Sequence, residues 1–317
     1  MATTRLGVGE RAPDFVSHGP SGEPARFYAH AGGRPTAVLF QSGPGSLAEL
    51  AGRLGGRDDV AVCCVVPDPD GNGGLPVWAD PDGKVASAYG VAGTAGPTAV
   101  VLDPNLRVVG FVTGDGLADR VVALLDAAVH RGPAAEVTGQ APVLLLPGAL
   151  PPDWCRRLIG HWHAEGGSDS GVARGATEAL DDRYKRRRDH TVTDPGLVRE
   201  LSAVVGRRVM PEVRKAFAYR ATRFEGFKIA CYDAVTGGFF RPHRDNLAPT
   251  TAHRVFALTL NLNQDYQGGQ LRFPEYGNQL YRPDAGTALV FSCAHLHEVC
   301  PVTGGRRFVL LSFLYGS

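Results

Sequence analysis

The chain has 317 residues, a formal net charge of +1, 44% hydrophobic residues and 21% charged residues, a length that suits two domains with a core each. So balanced a charge excludes a global field drawing the protein to nucleic acid or a membrane surface, and no apolar run approaches the ~18 residues of a membrane helix. The first fifteen residues carry no apolar signal-peptide segment, and Cys63, Cys64, Cys155, Cys231, Cys293 and Cys300 show neither CxxC nor disulfide-framework spacing, so a reducing, cytoplasmic setting is expected. Residues 1–130 then alternate strand and helix signals. GERAPDF at 9–15 reads as a loop and short strand. RPTAVLFQ at 34–41 is an apolar, β-rich run followed by LAELAGRL with helical spacing. DDVAVCCVVPD at 58–68 is a second buried strand, DGKVASAYGV a short helix, and PTAVVLDPNLRVVGFVTG a hairpin turning at Asp103, Pro104 and Asn105. LADRVVALLDAAVHR at 117–131 closes this half as an amphipathic helix.

Strands alternating with helices, then a hairpin and a helix, indicate an α/β sandwich of thioredoxin type over residues 1–132. GERAPDF, TAVLFQ, DPDGKVASAYGV and the GPT before the next strand make this half resemble peroxiredoxin and related redoxin domains. Pro97 is similar to the proline that thioredoxin-fold proteins place there in cis. The family's nucleophilic cysteine belongs just after the strand ending at Phe40, where this chain has QSGPGSLAEL with only the hydroxyls of Ser42 and Ser46. A serine does not ionise as a thiolate does. Cys63 and Cys64 lie in the next strand and read as small buried hydrophobes. The domain is therefore expected to lack peroxidatic chemistry and to serve as a structural or protein-docking module.

RGPAAEVTGQAP at 131–142 is a small, polar linker. The domain from 141 to 317 opens with VLLLPGAL, a short strand and turn, and a helix starting at Pro151, Pro152 and Asp153. His161 and His163 on that helix read as solvated or packed side chains. DDRYKRRRDHTV at 181–192 carries a basic run with two readings: a solvated face, or a loop near a pocket mouth that selects an anionic substrate. DPGLVRELSAVVGRRVMPEVRKAF has i, i+3, i+4 apolar spacing, as supporting helices would.

The chemistry concentrates after Tyr232, which ends the strand FEGFKIACYD. His243 and Asp245 are two apart in an extended stretch, so both point at one atom. His297 follows after several strand-like runs that bring the chain back across a barrel. Two imidazoles and a carboxylate with open positions suit a non-haem Fe(II) that activates O2, and they also suit catalytic Zn(II). Arg307, on the strand after His297, adds a cation able to clamp a carboxylate bidentately. Arg306 is its adjacent alternative, and only one of the pair faces a pocket.

His243-x-Asp245, the strand FALTLNLN, Gly268-Gly269 with Leu271 and Phe273, Pro283 and Gly286 before TALVFSC, and His297, Pro301, Val302, Gly305 and Arg307 occur in one order. From 141 to 317 the chain thereby resembles the Fe(II)/2-oxoglutarate-dependent dioxygenases of the prolyl-4-hydroxylase-like branch. The resemblance implies a double-stranded β-helix (a cupin-like jelly roll) with supporting helices. It implies Fe(II) on His243, Asp245 and His297, with 2-oxoglutarate as cosubstrate, O2 as oxidant and ascorbate as reductant. Arg307 would hold the distal carboxylate of 2-oxoglutarate, with Tyr232 and Thr259 adding hydroxyl contacts. Asn246, Arg254, Asn261 and Asn263 would shape the substrate side, Asn261 and Asn263 alternatively satisfying barrel backbone. The expected reaction hydroxylates an unactivated C–H bond of a small-molecule, amino-acid or peptidyl substrate, releasing succinate and CO2. The alternatives are a thiol-dependent peroxidase with an accessory barrel and a non-enzymatic iron- or oxygen-sensing interaction protein.

Overall fold

The runs Thr36–Phe40 and Thr98–Leu102 are buried at every position, as strands covered on both faces must be. In the computed structural model, which describes residues 6–19, 21–40, 48–68, 75–129, 134, 136–174 and 177–316, these two strands pair antiparallel at the centre of a five-stranded sheet. Ala61–Val66 and Val77–Ala79 extend it in parallel on one side, and Val108–Thr113 extends it antiparallel on the other. Period-2 alternation sends Val38 and Val100 to a layer with Phe27, Trp78 and Tyr89. It sends Leu39 and Val101 to the opposite layer, under Leu50, Val121 and Leu125 of the helices Ala48–Leu54 and Leu117–Ala128. This unit spans Met1–Ala134.

No peptide bond among the described residues is cis, so the bond preceding Pro97 is trans, contrary to the redoxin resemblance. Ser42 and Ser46, the hydroxyls after the first central strand, lie outside the described residues. Cys63 and Cys64 are buried in the sheet, and burial pushes both thiols up, Cys64 to about 11.

The second unit, Ala135–Ser317, is built around two antiparallel sheets. The larger has eight strands. Its path runs Leu144–Leu146, Ala288–Ser292, Phe256–Asn261, Arg306–Tyr315, Lys228–Asp233, Arg188–Thr191 and Ser168–Asp169, and Arg223–Phe224 pairs with Arg306–Tyr315 off that path. The smaller has five strands in the order Lys185–Arg186, Phe239–His243, His297–Val299, Leu271–Arg272 and Leu280–Tyr281.

Alternation decides which core each residue joins. Leu258, Leu260 and Leu310 face outward, under the helices Pro152–Glu165, Pro195–Arg208 and Met210–Phe217, whose apolar stripes supply Leu158, Leu201, Val205 and Val213. Asp194 caps the second of these helices, accepting a hydrogen bond from the Leu197 amide at 2.6 Å. The first starts instead on Pro151 with no side-chain cap, Pro152 taking the first-turn position where a missing N–H costs least. Ala230, Tyr232, Leu289 and Val309 face inward against Leu271 and Val299 of the smaller sheet and Phe273 just beyond its strand. The result is a jelly-roll β-sandwich with helices on one outer face. No helix among the described residues is long and apolar enough to cross a membrane.

Candidate metal centre

The smaller sheet brings the two imidazoles together directly, because His243 and His297 are cross-strand partners. Such pairs hold side chains about 5 Å apart, and the two rings lie 4.2 Å apart between centroids. Asp245 follows His243 past the strand end, its amide donating to the Cys293 carbonyl at 2.9 Å. Its Oδ1 lies 3.6 Å from His243 Nε2 and its Oδ2 3.4 Å from His297 Nε2. All three candidate ligand atoms fall within 4.8 Å of one another.

The ring tautomers are set by the backbone. His243 Nδ1 faces the Arg241 carbonyl at 2.7 Å, and His297 Nδ1 faces the His295 carbonyl at 3.0 Å. A carbonyl only accepts, so each Nδ1 carries the proton and each Nε2 lone pair is turned toward Asp245. That is the arrangement a metal-binding imidazole requires. Burial pushes His297 down to about 4, further than the Asp245 charge pulls it back, so it is neutral at pH 7. Burial raises the Asp245 carboxyl, but His297 and His243 outweigh it and hold it down at about 2. The Asp245 carboxylate and the two imidazoles therefore face one point. Phe240 stacks on His243 at 3.5 Å between ring centroids, and Phe291 lies edge-on to His297, which restrains both rings.

The cluster opens into a cavity of about 890 Å³ between the sheets, also lined by Tyr232, Thr259 and Arg307. Tyr232 and Arg307 are cross-strand partners on the larger sheet and face inward together. Arg307 is 2% exposed, and its guanidinium lies 5.4 Å from the Tyr232 ring centroid. Its Nε is buried without a hydrogen-bond partner, and no ion pair joins it to a described carboxylate. Burying an unpaired cation is costly, so a site that keeps one is complementary to an anion. Gly269, at φ +65°, makes room for it: a Cβ there would lie 3.0 Å from Arg307 Cδ and 2.9 Å from Val302 Cγ2. Arg306 points the other way, 51% exposed, and donates to Asp233 Oδ2 at 2.8 Å.

The remaining sequence candidates divide. Arg254 lines the cavity, donates to the backbone carbonyl of Asp245 at 3.3 Å, and is held bidentately by Glu225 at 2.7 and 2.9 Å. Asn261 and Asn263 do not line the cavity. Asn261 donates to the Asn263 and Pro283 carbonyls, while Asn263 donates to the Arg306 carbonyl and accepts from the Phe308 amide. Both satisfy backbone at the end of the sandwich. Asn246 is also absent from the cavity wall. His161 packs edge-on against His190 and does not line the cavity.

The basic run divides as well. Arg186 and Arg188 lie outside, donating to the Asp182 and Gly167 carbonyls. Lys185 is buried and Arg187 largely so, its side chain 10% exposed, and both line the cavity. Sequence reasoning singled out neither individually, and the period-2 alternation within KRRR was the available signal.

The 2OG-Fe(II) oxygenase superfamily profile matches residues 227–315, the span that holds the triad, Tyr232, Thr259 and Arg307. A PKHD-type hydroxylase of Synechococcus sp. (strain JA-2-3B'a(2-13)) is 31% identical over 104 residues, which are 31% of this chain and 46% of that protein. The chain thus spans about half the length of this curated relative. A multifunctional procollagen lysine hydroxylase and glycosyltransferase of Rattus norvegicus is 35% identical over 79 residues, 23% of this chain and 10% of that protein. Among solved structures, a Pseudomonas putida prolyl-4-hydroxylase is similar at 20% identity with a TM-score of 0.44, covering 56% of this chain and 94% of that one. A Trichoplax adhaerens prolyl hydroxylase in complex with a hypoxia inducible factor peptide fragment has 18% identity and a TM-score of 0.47, covering 56% and 84%.

Proposed function

We propose that the C-terminal unit is a non-haem Fe(II)- and 2-oxoglutarate-dependent dioxygenase that hydroxylates an unactivated C–H bond of a small-molecule or peptidyl substrate. The observation that carries this reading is a three-ligand cluster sharing one cavity with a buried guanidinium that has no anion of its own. The superfamily match over the same residues and two relatives named as hydroxylases support it.

In this reading His243, Asp245 and His297 hold the metal. Two imidazoles and a carboxylate suit Fe(II) with positions left for exchangeable ligands. When bound, Fe(II) with 2-oxoglutarate and O2 supplies the oxidising chemistry, converting C–H, O2 and 2-oxoglutarate to C–OH, succinate and CO2. The chain's own part is binding and orientation. Arg307 neutralises the distal carboxylate from a buried position, where a charge-assisted pair is strongest. The Tyr232 hydroxyl accepts from Arg187 Nη1 at 3.2 Å, so its own proton remains to be donated to that carboxylate. Thr259, inward on the neighbouring strand, offers a further hydroxyl. Arg254, through the Asp245 carbonyl, positions the carboxylate ligand. Ascorbate serves as external reductant.

We also read residues 1–132 as a thioredoxin-like module without thiol chemistry that docks a protein partner, joined by a linker to the oxygenase domain at 141–317. The central parallel pair and the antiparallel hairpin of its sheet support the fold, and the buried, poorly ionising Cys63 and Cys64 speak against a peroxidase. Six free cysteines, five of them buried, suit a reducing cytoplasm.

The test is uncoupled turnover: purified protein with Fe(II), ascorbate and 2-oxoglutarate, scored for succinate. Succinate production that needs Fe(II) and is lost in His297→Ala supports the proposal. A metal-loaded, folded protein that forms no succinate and consumes no 2-oxoglutarate, with or without candidate substrates, would sink it.

A further inference from the structure

The basic run at 181–192 is not absorbed by the metal centre or by Arg307, yet part of it reaches the same cavity. The run carries the chain from one sheet to the other. Lys185 pairs with Phe240 on the smaller sheet, and Arg188 pairs with Cys231 on the larger one. Arg187 therefore sits where the sandwich closes, its guanidinium 5.7 Å from the Tyr232 ring centroid and 5.9 Å from that of Phe240. Phe240 in turn stacks on His243, so this wall stands one aromatic ring away from the metal centre. Arg307 approaches Tyr232 as well, at 5.4 Å. The cavity thus presents two separate guanidinium groups, each against the same tyrosine.

Arg187 is the more elaborately built of the two. Its Nη2 donates to Asp189 Oδ2 at 2.6 Å and to Ser170 Oγ at 3.4 Å, and its Nη1 donates to the Tyr232 hydroxyl at 3.2 Å. Its Nε is buried with no partner, as is Asp189 Oδ1. A guanidinium has five N–H donors in a fixed fork, so donors remain after these contacts. Asp189 therefore orients Arg187 without exhausting it. Lys185 places an ammonium on the same wall, donating to Ser170 Oγ at 2.6 Å and to the Gly171 carbonyl at 2.8 Å, 4.9 Å from the Phe240 ring. Arg254 and Arg244 each hold a glutamate through two nitrogens, whereas Arg187 gives Asp189 only one.

A five-carbon dicarboxylate at Arg307 leaves much of about 890 Å³ open, since a cavity of that size holds a drug-sized ligand. Resting on the oxygenase reading above, we infer that Arg187, with Lys185 beside it, is a second anion subsite that receives a carboxylate of the substrate, so that the substrate is a small carboxylic acid. Arg187 is here a specificity-determining residue. It fixes the acid end of the substrate one ring from the metal and leaves the C–H bond to be hydroxylated toward the triad.

The experiment uses the full chain, loaded anaerobically with Fe(II) and saturating 2-oxoglutarate so that Arg307 is occupied. The probes are free L-amino acids and simple monocarboxylic acids, each matched with its primary amide. Binding is read as a shift of the thermal midpoint, and turnover as succinate and a +16 Da product. The variants are Arg187→Gln and the double variant Arg187→Gln with Asp189→Asn, which removes both charges of the buried pair and keeps the comparison open if the single variant fails to fold. The expected result is at least one acid that binds while its amide does not. That affinity should fall roughly 30-fold or more in the variants, as loss of a charge-assisted contact predicts, while 2-oxoglutarate, which loses only the Arg187 donor behind Tyr232, should weaken far less. Amides that bind as well as acids, a panel in which no acid binds, or variants that lose 2-oxoglutarate instead would each overturn the subsite. Acid binding that depends on Arg187 in a protein forming no succinate would count for the subsite and against the oxygenase reading, so the two failures are distinguishable.

Discussion

Replacing Arg307 by alanine tests the cosubstrate pocket most directly. The side chain is 2% exposed and its Nε has no hydrogen-bond partner, so in the proposed complex the incoming carboxylate is its charge partner. Truncating one member of a buried, hydrogen-bonded charge pair costs about 2–5 kcal/mol. At about 3 kcal/mol, the affinity for 2-oxoglutarate falls by roughly 100-fold. Ligand at about 100 times the wild-type dissociation constant stabilises the native state by about 2.7 kcal/mol, and the variant at the same concentration gains only about 0.4 kcal/mol. For a domain of this size those figures are about 5–11 °C and about 1–2 °C. Anaerobic thermal melts with Fe(II), with and without 2-oxoglutarate, read the difference. Without ligand the Arg307→Ala protein should melt no lower than wild type, because deleting an uncompensated buried cation removes a desolvation cost. Arg306→Ala is the control: its ion pair with Asp233 is at the surface, 51% exposed on the arginine side, and is worth at most about 1 kcal/mol. A full 2-oxoglutarate shift in Arg307→Ala, or its loss in Arg306→Ala, would refute the assignment of the pocket.

His243→Ala, Asp245→Ala and His297→Ala should each abolish Fe(II)-dependent succinate formation while the protein stays folded; metal content after anaerobic loading checks this, and full iron occupancy with full turnover in any one removes that residue from the site. The His297 ring, held near 4 against an ordinary 6.5, binds a proton in the unfolded chain before it does in the native one. Metal-free protein should accordingly be most stable above pH 6.5 and lose stability as pH falls toward 4, this group contributing roughly 3 kcal/mol to the change. Urea unfolding across that range should show a shallower pH dependence in His297→Gln than in wild type, and identical profiles would contradict the assigned burial. The full chain should consume no hydrogen peroxide with ample thiol reductant, and Cys63 and Cys64 should stay unlabelled by a thiol reagent at pH 8 until the protein unfolds. Measurable peroxidase activity would overturn the reading of the N-terminal unit.

That His243, Asp245 and His297 come together was legible in the sequence because the information is local. His243 and Asp245 are two residues apart at a strand end, and the ordered elements through His297 and Arg307 lie within 65 residues of His243. The central strands 36–40, 61–66 and 98–102 were legible because burial on both faces requires continuous apolar runs. Val77–Ala79 and Ser168–Asp169 carry no such signal, since edge strands of two or three residues take their conformation from the neighbour they pair with.

Facing, by contrast, was decided only by the tertiary structure. Arg306 and Arg307 are chemically identical neighbours, and the register that sets Tyr232 opposite Arg307 and Asp233 opposite Arg306 sends one inward and the other to solvent. Asn261 and Asn263 look like pocket residues by type, but their strand ends where loop backbone needs donors and acceptors, and they supply them. In the basic run, composition alone favours a solvated face. Lys185 and Arg187 turn inward because that segment closes the gap between the two sheets, and an alternating strand at such a closure must direct every second side chain into the cavity.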